Sequence, residues 1–179
     1  MKPAGLPTFV PLAFALALAL AGCADMPTRV PQARAVATLE PTKGNTTSGT
    51  VEFQQRGSSV RVIASVTGLA PNQEHGFHVH EKGDCSSGDG MSTGGHFNPD
   101  NMPHGPQSGP HHAGDMPSLR ADASGNAKAT FDLAGVTIVA GARSLAGRGL
   151  IVHKDADDYS TQPTGNAGAR LACAVIRAL

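Results

Sequence analysis

The stretch VRVIASVT at residues 60–67 alternates apolar and polar side chains, the pattern of a β-strand with one buried face. One face carries only apolar residues, namely Val60, Val62, Ala64 and Val66. The opposite face carries the polar residues Arg61, Ser65 and Thr67, with Ile63 as the exception. The stretch therefore predicts a strand that covers a core and exposes its polar side.

Similar short runs recur along the chain. They lie near 34–40, 50–55, 76–81, 127–133, 149–153 and 170–177. Turn residues separate them, as at 43–45, 68–71 and 124–126. Because no segment has the spacing of an amphipathic helix, we expect an all-β fold, an antiparallel sandwich or barrel of about seven or eight strands.

Two long segments interrupt this rhythm. Residues 82–117 and 154–169 contain few apolar side chains and many Gly, Pro, Asp and Ser residues. Loops of this length in a compact domain are usually functional or disordered. Since the first holds four of the eight histidines, we expect functional loops.

Composition narrows the class of protein. The chain has 179 residues with 22 Gly and 13 Pro, which favours one loop-rich domain over residues 34–179. Its 14 basic and 14 acidic side chains give a formal charge of zero. This balance provides no electrostatic footprint for nucleic acid, so any attraction of a charged ligand must be local.

The N-terminal segment has the features of an export signal. Lys2 precedes an apolar run over residues 9–21, which is short for a membrane span and typical of a secretory signal peptide over residues 1–22. The signal ends in Leu-Ala-Gly before Cys23, which resembles the lipobox of bacterial lipoproteins. An ordinary signal peptide with a chance cysteine is the alternative.

A lipidated Cys23 sets further expectations. Residues 23–33 become a tether between a membrane and the domain. The domain then lies on the periplasmic side of the bacterial envelope. Since Ala24 rather than Asp follows the cysteine, the sorting rule for lipoproteins favours the outer membrane.

Cysteine number agrees with export. Of the three cysteines, lipidation of Cys23 would leave Cys85 and Cys173, which we expect to form a disulfide in an oxidising compartment. Two buried free thiols are the alternative, which export disfavours.

Histidine spacing predicts a metal site. His78 and His80 lie two apart in a predicted strand and therefore project to the same side, while Val79 points into the core. His153 ends another strand, and His96 could add a fourth imidazole, giving a nitrogen set that suits Cu(II). His96, His104, His112 and Asp115 make a second set that fits structural Zn. If His96 serves both sets, its ring must bridge two metals.

Several runs together resemble copper/zinc superoxide dismutase. They occur in that family's order: GFHVH at 76–80, GHFNP at 95–99, HAGD at 112–115, GLIVHKDADD at 149–158 and TGNAGARLACAVI at 164–176. The resemblance spans the chain from about residue 34 to its end. It implies an eight-stranded antiparallel Greek-key barrel or sandwich with two long functional loops.

The resemblance also implies roles for individual residues. It assigns copper to His78, His80, His96 and His153. It assigns zinc to His96, His104, His112 and Asp115. Arg170 matches the arginine beside copper, and Asp157 matches the acid that links a copper histidine to a zinc histidine. His111 stands beside His112, but the HAGD motif favours His112 as the ligand.

The implied reaction is dismutation of superoxide to dioxygen and hydrogen peroxide. Arg170 would attract the anion, and His96 would act as a nearby proton source when copper is reduced. A non-catalytic copper-binding or metal-delivery protein of the same fold is the alternative, although binding alone would not need the arginine. The family resemblance leaves a monomer and a homodimer both open.

Overall fold

The computed structural model describes residues 32–179, together with Met1 and Gly5. The predicted signal peptide, the predicted lipidation site at Cys23 and most of the predicted tether lie outside the described residues. Within the described residues, no helix has the length and apolar character needed to span a membrane.

Strands account for nearly all of the regular structure. They are β1 Arg34–Pro41, β2 Ser48–Arg56, β3 Ser59–Thr67, β4 Glu74–His75, β5 Phe77–His80, β6 Leu119–Arg120, β7 Ala127–Ala134, β8 Gly149–His153, β9 Arg170–Val175 and β10 Arg177–Ala178. One 3-10 helix, Met91–Thr93, lies between β5 and β6. The prediction of an all-β fold is confirmed.

The stretch with the clearest alternation forms β3, between β2 and β7. Val60, Val62, Ala64 and Val66 are buried, as predicted, and Ile63 is partly exposed between Glu52 and Thr130. Burial of one face removes the apolar side chains from water, and the two neighbouring strands provide hydrogen-bond partners for the backbone.

Eight strands form one antiparallel sheet in the order β5-β8-β9-β1-β2-β3-β7, with β10 paired to β1. The sheet curls into a half-barrel. A second ladder of β4 with β6 pairs the residues just before β5 with those before β7. The chain must cross over after β3 to reach β5 and after β7 to reach β8.

The β5–β8 edge differs from the rest of the sheet, because every residue of both strands is buried. One face of these strands packs on the core with Val79, Leu150 and Val152. The loops over residues 81–118 and 154–169 lead from β5 to β6 and from β8 to β9. Polar side chains on these strands are therefore shielded from bulk water.

A disulfide joins the longer loop to the sheet. Cys85 and Cys173 are bonded at 2.04 Å, across 88 residues of sequence. Cys85 lies in the loop and Cys173 in the middle of β9, so the expected pairing is present.

Candidate metal centre

Two histidines come from β5, and backbone pairing supplies their neighbours. His78 and His80 are buried on the side of β5 opposite Val79. An isolated bridge pairs His80 with His96, and another pairs His78 with Asp115. His153 ends β8, and its backbone N–H donates to Gly76 O at the start of β5. The antiparallel edge thus collects residues separated by up to 75 positions.

The predicted copper set converges in the structure. One ligand-type atom from each of His78, His80, His96 and His153 lies within 4.8 Å of the others, and all four residues are buried. The ring centres of His78 and His96 are 4.0 Å apart.

The predicted zinc set converges as well. His96, His104, His112 and Asp115 bring their ligand-type atoms within 4.8 Å of one another. Asp115 Oδ1 lies 2.8 Å from His96 Nδ1, 3.1 Å from His104 Nδ1 and 3.3 Å from His112 Nδ1. His96 belongs to both sets, with Nδ1 facing the carboxylate.

Hydrogen bonds at the far side of each ring fix which nitrogen faces the copper set. His78 Nε2 donates to Asp157 Oδ2 at 2.7 Å, and His80 Nδ1 donates to Gly94 O at 2.9 Å. His153 Nδ1 donates to Gly168 O at 3.2 Å. Since a neutral imidazole carries one proton, the opposite nitrogen of each ring holds a lone pair that points into the set.

These inward nitrogens are buried without a hydrogen-bond partner among the described residues. They are His78 Nδ1, His80 Nε2, His96 Nε2, His104 Nδ1, His112 Nδ1 and His153 Nε2. Buried polar atoms are normally paired, so six such atoms in two quartets need another partner. Imidazole nitrogens together with one carboxylate oxygen fit copper and zinc.

Burial keeps the rings of His80, His96 and His153 neutral, which is the form that binds metal. It lowers the pKa of His153 to about 3 and the pKa of His96 to about 4. The pKa of His80 is also well below its usual value, chiefly because of burial and then because of His96 and His153.

The zinc set has a different electrostatic character. Burial raises the pKa of Asp115, but the close approach of the His104, His112 and His96 rings to its carboxylate outweighs this effect and holds the pKa well below the usual range. Burial lowers the pKa of His104, but the carboxylates of Asp115 and Asp157 raise it overall to about 9. Without metal, a charged His104 therefore partly balances the two acids.

Asp157 joins the two sets from outside. Its Oδ2 accepts from His78 Nε2 at 2.7 Å and its Oδ1 accepts from His104 Nε2 at 2.9 Å. Gly165 leaves room for this arrangement, since a Cβ there would lie 1.8 Å from Asp157 Oδ1. Asp157 is buried, as expected for a linking acid and not for a solvated loop acid.

Arg170 begins β9 and is held at the edge of the centre. Its Nη1 donates to Gly90 O at 2.6 Å and to Thr93 Oγ1 at 2.7 Å, and its Nη2 donates to Gly94 O at 2.8 Å. Gly94 O also accepts from His80, so the arginine and a histidine of the copper set share an acceptor. Partial burial lowers the pKa of Arg170 without removing its charge.

A family model agrees with this geometry. The model for copper/zinc superoxide dismutase matches residues 47–176, which include both sets, Asp157 and Arg170. The chain belongs to the copper/zinc superoxide dismutase family. It is therefore an oxidoreductase whose cofactors are copper and zinc.

Relatives of this family are similar over most of the chain. A superoxide dismutase [Cu-Zn] of Paramecium bursaria Chlorella virus 1 is 41% identical over 150 residues, covering 79% of this chain and 76% of the relative. One from Schizosaccharomyces pombe is 40% identical over 153 residues, covering 80% of this chain and 96% of the relative.

A solved structure has a similar fold. The crystal structure of the clock protein EA4 aligns with a TM-score of 0.75 and 38% identity, covering 84% of this chain and 97% of that chain. The fold of this chain thus resembles that of a solved structure over most of its length.

The two neighbouring histidines 111 and 112 have different environments in this dismutase. His112 is buried with Nδ1 in the zinc set, whereas His111 Nδ1 donates to Gly109 O at 2.6 Å and the residue is partly exposed. The motif therefore identified the histidine that lies in the cluster. His75 lies outside both sets and donates from Nδ1 to His153 O at 2.9 Å.

Sequence reasoning missed two side chains that hold the centre together. Gln162 accepts from His104 N–H and donates to His104 O, at 2.8 and 2.9 Å. Thr93 contacts Arg170 from a stretch, residues 86–94, for which no element was predicted. Neither has a spacing signal, because each acts on a residue more than 50 positions away.

Proposed function

We propose that the protein dismutes superoxide in the cell envelope at a copper and zinc centre that shares His96. The copper ligands in this proposal are His78 Nδ1, His80 Nε2, His96 Nε2 and His153 Nε2. The zinc ligands are His96 Nδ1, His104 Nδ1, His112 Nδ1 and Asp115 Oδ1. The observation that carries it is the convergence of buried inward nitrogens on two quartets with one common ring.

Each bound metal supplies something the side chains lack. Copper accepts one electron and returns it, so that two superoxide ions and two protons give dioxygen and hydrogen peroxide, while zinc contributes a fixed positive charge. His96 contributes a proton site at Nε2 whenever that nitrogen is not a ligand, and Asp115 keeps its other nitrogen oriented. The protonation site thus lies inside the copper set.

Arg170 favours an enzyme over a metal-delivery protein. Its three hydrogen bonds hold a permanent positive charge beside His80, where it can attract and orient an anion. Copper storage would not require a cation there, because a positive charge opposes binding of a metal cation.

The test compares metal loading with superoxide decay. The purified full chain, loaded with one copper and one zinc, is mixed with superoxide in a stopped-flow instrument. We expect Arg170→Ala to keep both metals and to lose rate by roughly tenfold or more, because electrostatic steering contributes at about that level. Arg61→Ala is the matched control, since Arg61 is exposed and paired with Asp132 on β7.

Two outcomes would reject the proposal. Tight copper binding with no acceleration of decay would favour the metal-delivery protein. Failure to bind two metals would exclude both functions.

The proposed envelope location rests on the N-terminal sequence and on the disulfide. In this proposal the signal peptide over residues 1–22 is removed, Cys23 is acylated and residues 23–33 tether the enzyme to the outer membrane on its periplasmic side. The lipobox-like residues before Cys23 support this, as does the disulfide, which needs an oxidising compartment to form and persist.

A further inference from the structure

Thr93 is a polar side chain that is fully buried beside the arginine of the centre. It ends the 3-10 helix Met91–Thr93, and its relative exposure is 0%. Its hydroxyl lies 2.7 Å from Arg170 Nη1 and 2.9 Å from Gly90 O. A buried hydroxyl loses its hydrogen bonds to water, so it needs a hydrogen-bond partner within the protein.

The chemistry of the three groups determines which of them donates and which accepts. Gly90 O can only accept, so the single hydroxyl hydrogen of Thr93 goes to Gly90 O. Arg170 can only donate, so Nη1 gives one hydrogen to the Thr93 oxygen and the other to Gly90 O. Thr93, Gly90 and Arg170 therefore form a closed triangle of hydrogen bonds.

Gly90 allows the backbone conformation and the close approach to Arg170 that this triangle requires. Its φ of 78° is in the left-handed region, which glycine adopts without strain. A Cβ at this position would approach Arg170 Cδ to 3.3 Å. The turn into the 3-10 helix thus brings both Gly90 O and Thr93 Oγ1 against the guanidinium.

The triangle leaves two donors for an anion. A guanidinium has five N–H groups, of which Arg170 uses two on Nη1 and one on Nη2. The Nε hydrogen and one Nη2 hydrogen remain. Because the group is planar and rigid, fixing Nη1 at two points also fixes the direction in which these two hydrogens point.

We infer that Thr93 is a positioning residue that orients Arg170 towards the anionic substrate. The inference rests on the proposed function, in which Arg170 receives superoxide. Loss of the Thr93 hydroxyl leaves a buried Nη1 hydrogen without its acceptor, so the guanidinium turns towards another partner and presents its free edge less often.

The test uses azide as the probe anion. Azide binding to the copper-loaded, zinc-loaded full chain is followed by the Cu(II) absorption spectrum. Thr93→Val keeps the shape of the side chain and removes the hydroxyl, and we expect it to weaken azide binding roughly tenfold, the equivalent of one charge-assisted hydrogen bond. Thr93→Ser keeps the hydroxyl and is expected to bind azide within about twofold of the wild type, since the acceptor is retained.

Thr47→Val is the matched control. Thr47 is 1% exposed and its hydroxyl donates to Gly68 O at 2.9 Å, away from Arg170. It should bind azide like the wild type. If Thr93→Val does not fold, Thr93→Ala and Thr93→Ser provide the same comparison, because both lack the methyl group and differ in the hydroxyl.

Three results would overturn the inference: wild-type azide affinity in Thr93→Val, an equal loss in Thr93→Ser, or an altered Cu(II) EPR spectrum in azide-free Thr93→Val. The last would mean that Thr93 acts through the copper ligands. Superoxide decay of the wild type is measured separately. A wild type that binds copper but does not dismute superoxide rejects the proposed function, while the azide comparison still decides the role of Thr93.

Discussion

At the scale of single residues, the centre depends on side chains that lie behind the rings. Asp157 holds one ring from each set, and Gly94 O holds both His80 and Arg170. These contacts decide which ring nitrogen is free and where each ring points. The orientation of the rings is therefore set by donors and acceptors outside the two sets.

Asp157→Asn should weaken metal binding while leaving the fold intact. The amide offers one acceptor where two ring N–H groups need one each, so the orientation of either His78 or His104 is lost. We expect zinc affinity to fall roughly 10- to 100-fold, measured by competition with a chelator. Asp155→Asn, on the exposed part of the same loop, is the control, and an equal loss in both variants would contradict a specific role for Asp157.

The metal-free protein should lose stability on acidification from pH 6.5 towards 4. The pKa of His96 is lowered from 6.5 to about 4, and that of His153 from 6.5 to about 3. In this pH range the unfolded chain therefore binds protons that the folded chain does not bind. Proton binding then favours unfolding. Asp115 and Asp157, whose pKa values are also lowered, add to the loss at still lower pH.

The contribution of His104 to stability has the opposite pH dependence. Its pKa is raised to about 9, so its contribution is complete below 6.5 and is lost as the pH rises through 9. Urea unfolding midpoints of the chelator-treated protein at about pH 4.5, 6.5 and 9 test both limbs. A midpoint that stays level or rises between 6.5 and 4.5 would contradict the assignment of neutral buried rings.

At the scale of elements, the fully buried β5–β8 edge and two loops make one unit. β5 provides His78 and His80, β8 provides His153, and the loop over residues 81–118 provides the zinc set. The disulfide ties the start of that loop to β9, the strand that begins with Arg170. The loop therefore keeps Gly90, Thr93 and Gly94 beside the arginine.

Removal of the disulfide should affect stability and anion binding more than copper binding. Replacing Cys85 and Cys173 by Ser frees a closed loop of 88 residues, which on the entropic model costs roughly 4 to 5 kcal/mol of unfolding free energy. Urea unfolding of the oxidised wild type and the double variant gives this difference. An unchanged midpoint would contradict the stabilising role of the bond. A double variant whose copper affinity falls more than its azide affinity would contradict the positional role.

The predicted runs identified the strands of four or more residues but not the two-residue strands β4 and β6. β3 and β7 are predicted well because eight or nine residues repeat the pattern against a core. β4 and β6 have two residues each, too few to show any period. The 3-10 helix at Met91–Thr93 lies in a Gly- and Ser-rich stretch, whose fold depends on Arg170 far along the chain.

The metal-binding residues were predictable because their types and motifs carry information. Their geometry was not. Spacing predicts that His78 and His80 project together, but only the contacts with Asp157 and Gly94 determine that one offers Nδ1 and the other Nε2. Gln162 and Thr93 were missed because an amide or a hydroxyl is common in loops and acquires a role only through its partner.

At the scale of the whole molecule, the enzyme combines a neutral chain with a local cation. A formal charge of zero provides little long-range steering, so Arg170 must act at short range. The proposed lipid anchor would confine such an enzyme to superoxide that reaches the membrane surface.

The proposed lipid anchor predicts the mass of the mature chain and the cell fraction in which the chain is found. The mature chain in the membrane fraction should begin at Cys23 and carry the added mass of the acyl groups, as read by intact mass spectrometry. Cys23→Ser should move the enzyme to the soluble fraction, because the apolar contribution of the acyl chains is lost. A membrane fraction with the mass of an unmodified cysteine would reject lipidation.

The shared ring of His96 is the central claim, and a paramagnetic pair tests it most directly. The full chain is loaded with Cu(II) and with Co(II) in place of zinc, each in equal amount with protein, and its EPR spectrum is recorded. If His96 bridges the two ions, magnetic coupling through the ring should suppress the Cu(II) signal, which should return when Co(II) is replaced by zinc. A full Cu(II) signal in the presence of one bound Co(II) per chain would contradict the account.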